Sequence, residues 1–322
     1  MSLVSQIEMI PAGPQWERLV FSRLVFGAWR LGDRPDEATP SHVQDKIKAS
    51  LDLGITTFDH ADIYGDYACE ALFGEALASL GAVREKLQLV TKCGIKLVSA
   101  RRPNHHLKHY DTSREHIRAS VENTLRLLRT DRVELLLLHR PDPLLEPDEV
   151  ADCFAALRRE GKVLHFGISN FTPSQLDLLA SRLSDHQIPL ITNQVEVNLL
   201  HLAPLHDGTL DQCLKRRIKP MAWSPMGGGR LFTGQEAREV RIRQALAEVA
   251  TALTQEGQGN QRPVSAEQVA LAWLLRHPAQ LLPVLGTGNK NRLVEAAAAA
   301  ELTLSREQWF RLWCASVGHD VP

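Results

Sequence analysis

Short apolar runs alternate with amphipathic stretches along almost the whole chain. Strand-like runs rich in Val, Ile, Leu and Phe fall at 24–27, 55–58, 87–91, 133–138, 163–168, 190–195, 219–223 and 281–285. Helical spacing of apolar residues appears near 41–53, 68–80, 113–129, 149–160, 173–183, 208–217, 238–254 and 290–300. Eight such runs with interleaved helices predict an α/β fold, a (β/α)8 TIM barrel rather than an open sheet. Runs such as Leu135-Leu136-Leu137-Leu138 are apolar without alternation, as parallel strands covered on both faces require. Pro173 and Ser174 sit where the fifth helix begins, a helix-start signal. Two segments lie outside the eightfold pattern. Residues 5–20 carry Pro11-Ala12-Gly13-Pro14 between two short apolar stretches and predict an N-terminal β-hairpin that plugs the barrel bottom. Residues 305–316 predict an extra C-terminal helix. The polar stretch 255–263 reads as a surface loop, and no shift in composition marks a second domain, so 1–322 is expected to form one barrel domain.

Composition narrows the function classes. The 322 residues are 44% hydrophobic, enough for one large core, and a barrel of this kind uses about 250 residues or more as one domain. The 37 basic and 38 acidic residues leave a net charge of -1, with no basic tail or stripe, which argues against nucleic acid as a partner. No apolar run approaches the roughly 18 residues of a membrane span. Met1 to Pro14 lacks the charged and apolar regions of a signal peptide. Cys69, Cys93, Cys153, Cys213 and Cys314 are odd in number, widely spaced and form no Cys-x-x-Cys, which suits a reduced, cytoplasmic protein.

Four polar residues stand where apolar strands run out into loops. Asp59 ends Ile55-Thr56-Thr57-Phe58, Lys92 follows Leu87-Gln88-Leu89-Val90-Thr91, and His139 follows 133–138; Tyr64 lies five residues past Asp59. In a parallel barrel these ends open onto one face. A phenol is a poor acid at neutral pH, but a nearby ammonium favours its phenolate and lowers its pKa. Lys92 can supply that charge, Asp59 can hold Lys92, and His139 can polarise an oxygen bound beside Tyr64. Together they can protonate a developing alkoxide. Each residue taken alone has an ordinary structural reading; the joint placement favours chemistry. Cys93 adjoins the set and reads as a small buried residue rather than a reactive thiol.

Protonating an alkoxide calls for a hydride donor, hence a dinucleotide site. No Gly-x-Gly-x-x-Gly follows the first strand. Gly286-Thr287-Gly288-Asn289-Lys290-Asn291 follows the eighth and opens a helix, and Ser224-Pro225-Met226-Gly227-Gly228-Gly229-Arg230 follows the seventh. Phosphate sites in these barrels often use the loops after strands seven and eight, where backbone N–H groups and a helix N-terminus attract the anion. Arg230, Lys290 and Arg292 add charge. Ser169, Asn170 and Gln194, at the ends of strands five and six, can grip a carboxamide, and Trp223 can stack on its ring.

The chain resembles the aldo-keto reductases over nearly its whole length. The resemblance rests on Gly54 to Gly65, on Leu137-Leu138-His139-Arg140-Pro141-Asp142 and on Gly161 to Phe171. It implies NAD(P)H-dependent carbonyl reduction in a barrel, with Tyr64 as general acid, Asp59 and Lys92 tuning it, and His139 orienting the carbonyl. It also implies that Gly27, Trp29, Ser169, Asn170, Gln194, Trp223, Ser224, Pro225, Met226, Gly228 and Arg230 hold the cofactor. In the late motif Gly286 stands where a Lys is common; Thr287 and Gly288 follow, Arg292 and Glu295 match, and Ala296 replaces an Asn. Arg292 can still bind a phosphate bidentately, so NADPH is expected over NADH. The short tail places substrate selection on other loops, and a monomer or weak homo-oligomer is expected. His105, His106 and His109 lack supporting metal-ligand spacing, so they read as a solvated or substrate-facing loop and no metal is expected. The rival readings are a dinucleotide-binding redox-sensing barrel with little turnover, which needs no proton donor, and a barrel hydrolase using Asp59 and His139, which leaves Lys92 and both glycine loops without a role.

Overall fold

Alternation along the strands divides their side chains between two apolar regions. Val25, Val90, Leu135, Leu137, Met221 and Leu282 meet inside the barrel, while Phe26, Phe58, Leu89, Leu136 and Leu138 pack outward beneath helices. This is the period of two expected of strands. The computed structural model describes residues 7–12, 19–259 and 262–322. Its barrel strands are β1 (Val25–Gly27), β2 (Thr57–Asp59), β3 (Gln88–Cys93), β4 (Val133–Leu138), β5 (Val163–Ser169), β6 (Leu190–Glu196), β7 (Met221–Trp223) and β8 (Leu282–Leu285). Each pairs in parallel with the next, and β8 returns to β1 through Val284↔Val25 and Leu285↔Phe26, closing the barrel.

The helices are α1 (Pro40–Asp52), α2 (Cys69–Ala78), α3 (Arg114–Leu128), α4 (Pro147–Arg159), α5 (Pro173–Leu183), α6 (Thr209–Arg216), α7 (Ala237–Gln255), α8 (Ala266–Leu275), α9 (Lys290–Ala299) and α10 (Arg306–Val317). Thr172 caps α5 in a reciprocal box with Gln175, and Pro173 occupies its first turn, as its sequence signals. The expected hairpin pairs Met9–Pro11 with Val20–Ser22. Its Ile10 and Phe21 join the interior residues, so it closes the barrel at the strand N-termini. Residues 13–18, between its two strands in sequence, and 260–261, in the stretch expected to be a surface loop, lie outside the described residues.

One assignment changes. The helix expected near 238–254 is not the one packed against β8; that place belongs to α8, which the apolar spacing did not reveal. Val269 to Leu274 are all buried, so beyond its first turn, where Glu267 is exposed, α8 has no polar face and shows no helical period, as an enclosed segment should. The longer α7 lies against α8, and α10 covers both. Trp273 and Trp309 stack at 5.0 Å and 12°, each indole N–H donating to the other residue's carbonyl at 3.2 and 3.1 Å. Such an aromatic pair contributes about 0.5–1.5 kcal/mol beyond its buried area.

Close packing also limits α2 against α3. A Cβ added at Gly74 would overlap the Leu127 carbonyl oxygen and lie 2.8 Å from Leu128 Cα. Backbone atoms cannot rotate away, so Gly74→Ala is expected to lower stability by about 1–3 kcal/mol. Thermal unfolding followed by circular dichroism checks this, and an unchanged Tm would refute the tight crossing.

Candidate active site

The parity that fills the barrel also aims the polar residues. Val90 and Leu137 point inward, so Lys92 and His139, two positions further on, project into the mouth at the strand C-termini. Asp59 is the last residue of β2, and β3 runs to Cys93, so Lys92 lies within the strand rather than after it. Tyr64 opens a tight turn, Tyr64–Tyr67, in which Gly65, Asp66 and Tyr67 all have positive φ.

The four residues expected to act together meet there. Lys92 Nζ donates to Asp59 Oδ2 at 2.8 Å, to the His60 carbonyl at 2.8 Å and to Tyr64 Oη at 3.0 Å. All three ammonium protons therefore have acceptors. Gln194 crosses the barrel to donate from Nε2 to Asp59 Oδ1 at 2.8 Å. The Tyr64 and His139 rings meet edge to face at 5.9 Å. Asp59 is 2% and Lys92 1% exposed; a buried pair this enclosed persists only when both charges are fully bonded. Burial opposes the Lys92 charge, yet Asp59 and Tyr64 hold its pKa above the ordinary lysine value. For Tyr64 burial is the largest influence and raises the pKa, with Lys92 pulling the other way. The expected lowering of the Tyr64 pKa is thus not the net result in the free protein, because desolvation outweighs the ammonium; the phenol is neutral at physiological pH. Burial, with Lys92 and Arg140 nearby, pushes His139 well below the usual histidine range, so its imidazole is neutral too. Its Nδ1 is buried without a hydrogen-bond partner.

A layer of acids lies behind these strands. Thr91 faces outward and donates to Glu70 Oε1 at 2.7 Å, which Thr124 of α3 also reaches at 3.1 Å. Asp62 accepts from Ser120 Oγ at 2.9 Å. Burial, opposed by those hydroxyls, raises the Glu70 pKa to about 7, and burial with neighbouring Glu70 raises Asp62 to about 8. Cys93 is fully buried, and burial raises its thiol pKa well above the ordinary value, so it is not a reactive thiolate.

Around the mouth the remaining candidates form a partial ring. Ser169 Oγ donates to the Gln194 carbonyl at 2.8 Å, Asn170 Nδ2 donates to Ser169 Oγ at 2.8 Å, and Trp223 Nε1 donates to Asn170 Oδ1 at 3.0 Å. Asn170 and Ser224 both hold left-handed backbone, with φ of 62° and 49°, a cost of order 1–3 kcal/mol each that tends to persist at functional sites. Gly27 ends β1, and Trp29 beyond it is 55% exposed and 6.5 Å from the Tyr64 ring. Pro225 is buried and Met226 half-buried, and Gly227, Gly228 and Gly229 all have positive φ, so that run turns its backbone as side-chain-bearing residues rarely do. Of the three cations expected near phosphate, Arg230 is held by the buried Glu239 at 2.8 Å. Lys290 and Arg292 are exposed, and no ion pair engages them among the described residues. Gly286 is open and Gly288 packs on the stem of Lys46. Asn289 Oδ1 caps α9 by accepting from the N–H groups of Asn291 and Arg292 at 3.0 and 3.2 Å. Glu295 lies on α9, exposed, beside a shallow cleft shared with Ser265 and Gln268.

A model of the Aldo/keto reductase family matches residues 23–313. The chain belongs to that family. Oxidoreductase YdhF of Escherichia coli is 47% identical over 320 residues, covering 99% of this chain and 100% of its own length. A protein of Agrobacterium fabrum named 6-dehydroglucose reductase is 44% identical over 305 residues, covering 95% and 97%. The crystal structure of the thermostable aldo-keto reductase Tm1743 with the inhibitor epalrestat superposes with a TM-score of 0.77 at 27% identity, covering 96% of this chain and 100% of that one.

As an aldo/keto reductase the chain is an oxidoreductase, and members of the family use nicotinamide cofactors. Its mouth suits one: a half-exposed indole, amide and hydroxyl groups beside it, and a glycine run followed by exposed cations across the loops. Several of its notable residues were not singled out by sequence reasoning. Glu70 and Asp62 carry no signal beyond position, because a buried acid is recognised only once its hydroxyl partners are placed. Arg140 was visible only as the neighbour of His139. The Nδ1 atoms of His105 and His109 are paired with carbonyls of their own loop, Leu97 and Leu107. No helix among the described residues is long and apolar enough to cross a membrane.

Proposed function

We propose that this aldo/keto reductase is an NADPH-dependent enzyme that reduces aldehydes and ketones to alcohols, with Tyr64 as general acid. The observation that carries the reading is the single ammonium of Lys92 joined at once to Asp59, the His60 carbonyl and Tyr64 Oη. A phenol kept neutral by burial but bonded to an ammonium is a competent donor whose phenolate is stabilised as it forms. His139, neutral, orients the carbonyl oxygen against Tyr64, the Nε2–H tautomer being the one that would donate to it. Asp59 and Gln194 fix the Lys92 side chain so that it stays aimed at Oη. The bound cofactor supplies the hydride, and Trp223, Asn170 and Ser169 are the residues to hold its nicotinamide end. The proton leaves Tyr64 Oη for the substrate oxygen, and Lys92 stabilises the phenolate until solvent returns a proton.

Steady-state assay with NADPH over a panel of simple and sugar aldehydes tests the reading. Turnover of several carbonyls supports it; tight NADPH binding without turnover would instead favour a redox sensor. The relative named 6-dehydroglucose reductase makes polyhydroxylated aldehydes a suitable part of that panel. Arg292, exposed at the start of α9 and free of ion pairs among the described residues, is assigned to the 2′-phosphate. Arg292→Ala is expected to raise the KM for NADPH roughly tenfold or more while changing that for NADH by less than about threefold, since a charge-assisted contact contributes about 1.5–3 kcal/mol. Equal losses on both cofactors would remove Arg292 from the 2′-phosphate.

A further inference from the structure

Arg140 immediately follows His139 at the end of β4, half-buried, and reaches over the barrel mouth to place its guanidinium carbon 5.6 Å from the centre of the Trp223 ring. Strands β4 and β7 are three positions apart in the barrel, so the side chain spans the opening above the strand ends. No hydrogen bond or ion pair engages its guanidinium among the described residues. The nearby acids are committed elsewhere. Asp142 accepts from Thr112 N and Oγ at 3.2 and 3.0 Å and from Leu144 N at 2.9 Å. Glu196, in register with Trp223, accepts from Asn198 at 3.1 Å. Asp59 is bonded to Lys92 and Gln194, one donor on each oxygen.

The loop beside this opening has the same sign. Residues 97–109 contain Arg101, Arg102 and Lys108 with three histidines and no acid. That loop is tied to the Tyr64 segment, because Tyr67 Oη accepts from Leu97 N at 2.9 Å and Arg102 lies 4.5 Å over the Tyr67 ring. A guanidinium in a half-buried mouth that no carboxylate pairs with among the described residues is available to an anionic group where substrate enters. A guanidinium is also shaped to take a carboxylate, sulfonate or phosphate through two parallel hydrogen bonds.

We infer that Arg140 is a specificity-determining residue that binds an anionic group on the substrate, so that this enzyme prefers carbonyl compounds carrying a negative charge away from the reacting carbonyl. The inference rests on the reductase reading above and narrows its substrate class. An uncharged residue there should lose the anion contact, while the change in field at Tyr64 and His139 should fall on charged and neutral substrates alike. If Arg140 instead acted only through its field on Tyr64 and His139, it would change the turnover of charged and neutral substrates alike.

The test compares 4-carboxybenzaldehyde with its methyl ester, methyl 4-formylbenzoate, in the native enzyme, Arg140→Ala and Arg140→Lys, with NADPH. The native enzyme is expected to favour the acid in kcat/KM by roughly ten- to hundredfold, mostly through KM. Arg140→Ala should erase that preference while holding the ester within about threefold. Arg140→Lys, which keeps the charge but not the fork, should restore part of it. Equal kcat/KM for the pair in the native enzyme, or equal losses on both in Arg140→Ala, would overturn the inference and leave the reductase reading intact. Failure of the native enzyme to turn over either aldehyde would overturn the reductase reading, and this inference with it. Should Arg140→Ala not fold, the acid-to-ester ratio of the native enzyme across rising salt decides: an acid preference that falls toward unity supports the inference, and a ratio indifferent to salt sinks it.

Discussion

Tyr64→Phe is expected to lower kcat by about 10²–10⁴-fold, the range general acid catalysis supplies, and to leave the affinity for NADPH within about twofold. The substitution removes one oxygen. That oxygen accepts from Lys92 at 3.0 Å, and Lys92 retains Asp59 and the His60 carbonyl as acceptors. The ring contacts with Trp29 and His139, at 6.5 and 5.9 Å, do not need the hydroxyl. Folding and the surface around Trp223 should therefore survive, and the loss should sit in the proton-transfer step. Loss of nicotinamide absorbance gives kcat, and quenching of tryptophan fluorescence gives the cofactor Kd. Turnover near the native rate would remove Tyr64 from the acid role. An equally large loss of NADPH binding would show that the hydroxyl shapes the cofactor site instead.

Lys92→Met should cost both activity and stability. The ammonium is 1% exposed and pairs with an Asp59 that is 2% exposed. Without it, Asp59 retains Gln194 as its donor at 2.8 Å while staying out of water. Breaking one side of a buried pair typically costs about 3–5 kcal/mol, because the remaining charge is stranded. The sign with pH follows from the raised Lys92 pKa. Its contribution is complete below the unfolded lysine value and fades only as pH rises through the still higher folded value, so the loss in Lys92→Met should be full at neutral pH. Adding Asp59→Asn should return much of the stability by removing the stranded charge, but no turnover, since the phenolate would still lack its cation. Urea unfolding of the single and double variants forms the cycle. Additive stability losses would refute the coupling, and recovered activity in the double variant would refute the role of the ammonium.

Much of the architecture was legible because long apolar runs leave few choices. Four consecutive leucines at 135–138 can only be a strand buried on both faces when amphipathic helices flank it. Among the longer helices α8 escaped, for the opposite reason: buried from Val269 to Leu274 among β8, α7, α9 and α10, it needs no polar face there and so carries no period. The strand limits at Lys92 and Asp59 were each short by a residue or two, since a polar residue inside the barrel mouth looks like the start of a loop. Arg230 illustrates a different limit. Its place after a glycine run suggested a phosphate ligand; its ion pair with Glu239, nine residues on, carried no signal in the sequence.

The order of strands, the closing hairpin and the gathering of Asp59, Tyr64, Lys92 and His139 on one face were determined by the sequence itself, through a two-residue period that turns every second side chain into the barrel. What only the tertiary structure decided is how their charges balance. Burial keeps Tyr64 neutral against the pull of Lys92, Gln194 reaches across from β6 to hold Asp59, and Arg140 is left over the mouth while nearby acids bond elsewhere. Those outcomes depend on distances between strands far apart in sequence and on how little water remains between them, and neither quantity is written in the order of the residues.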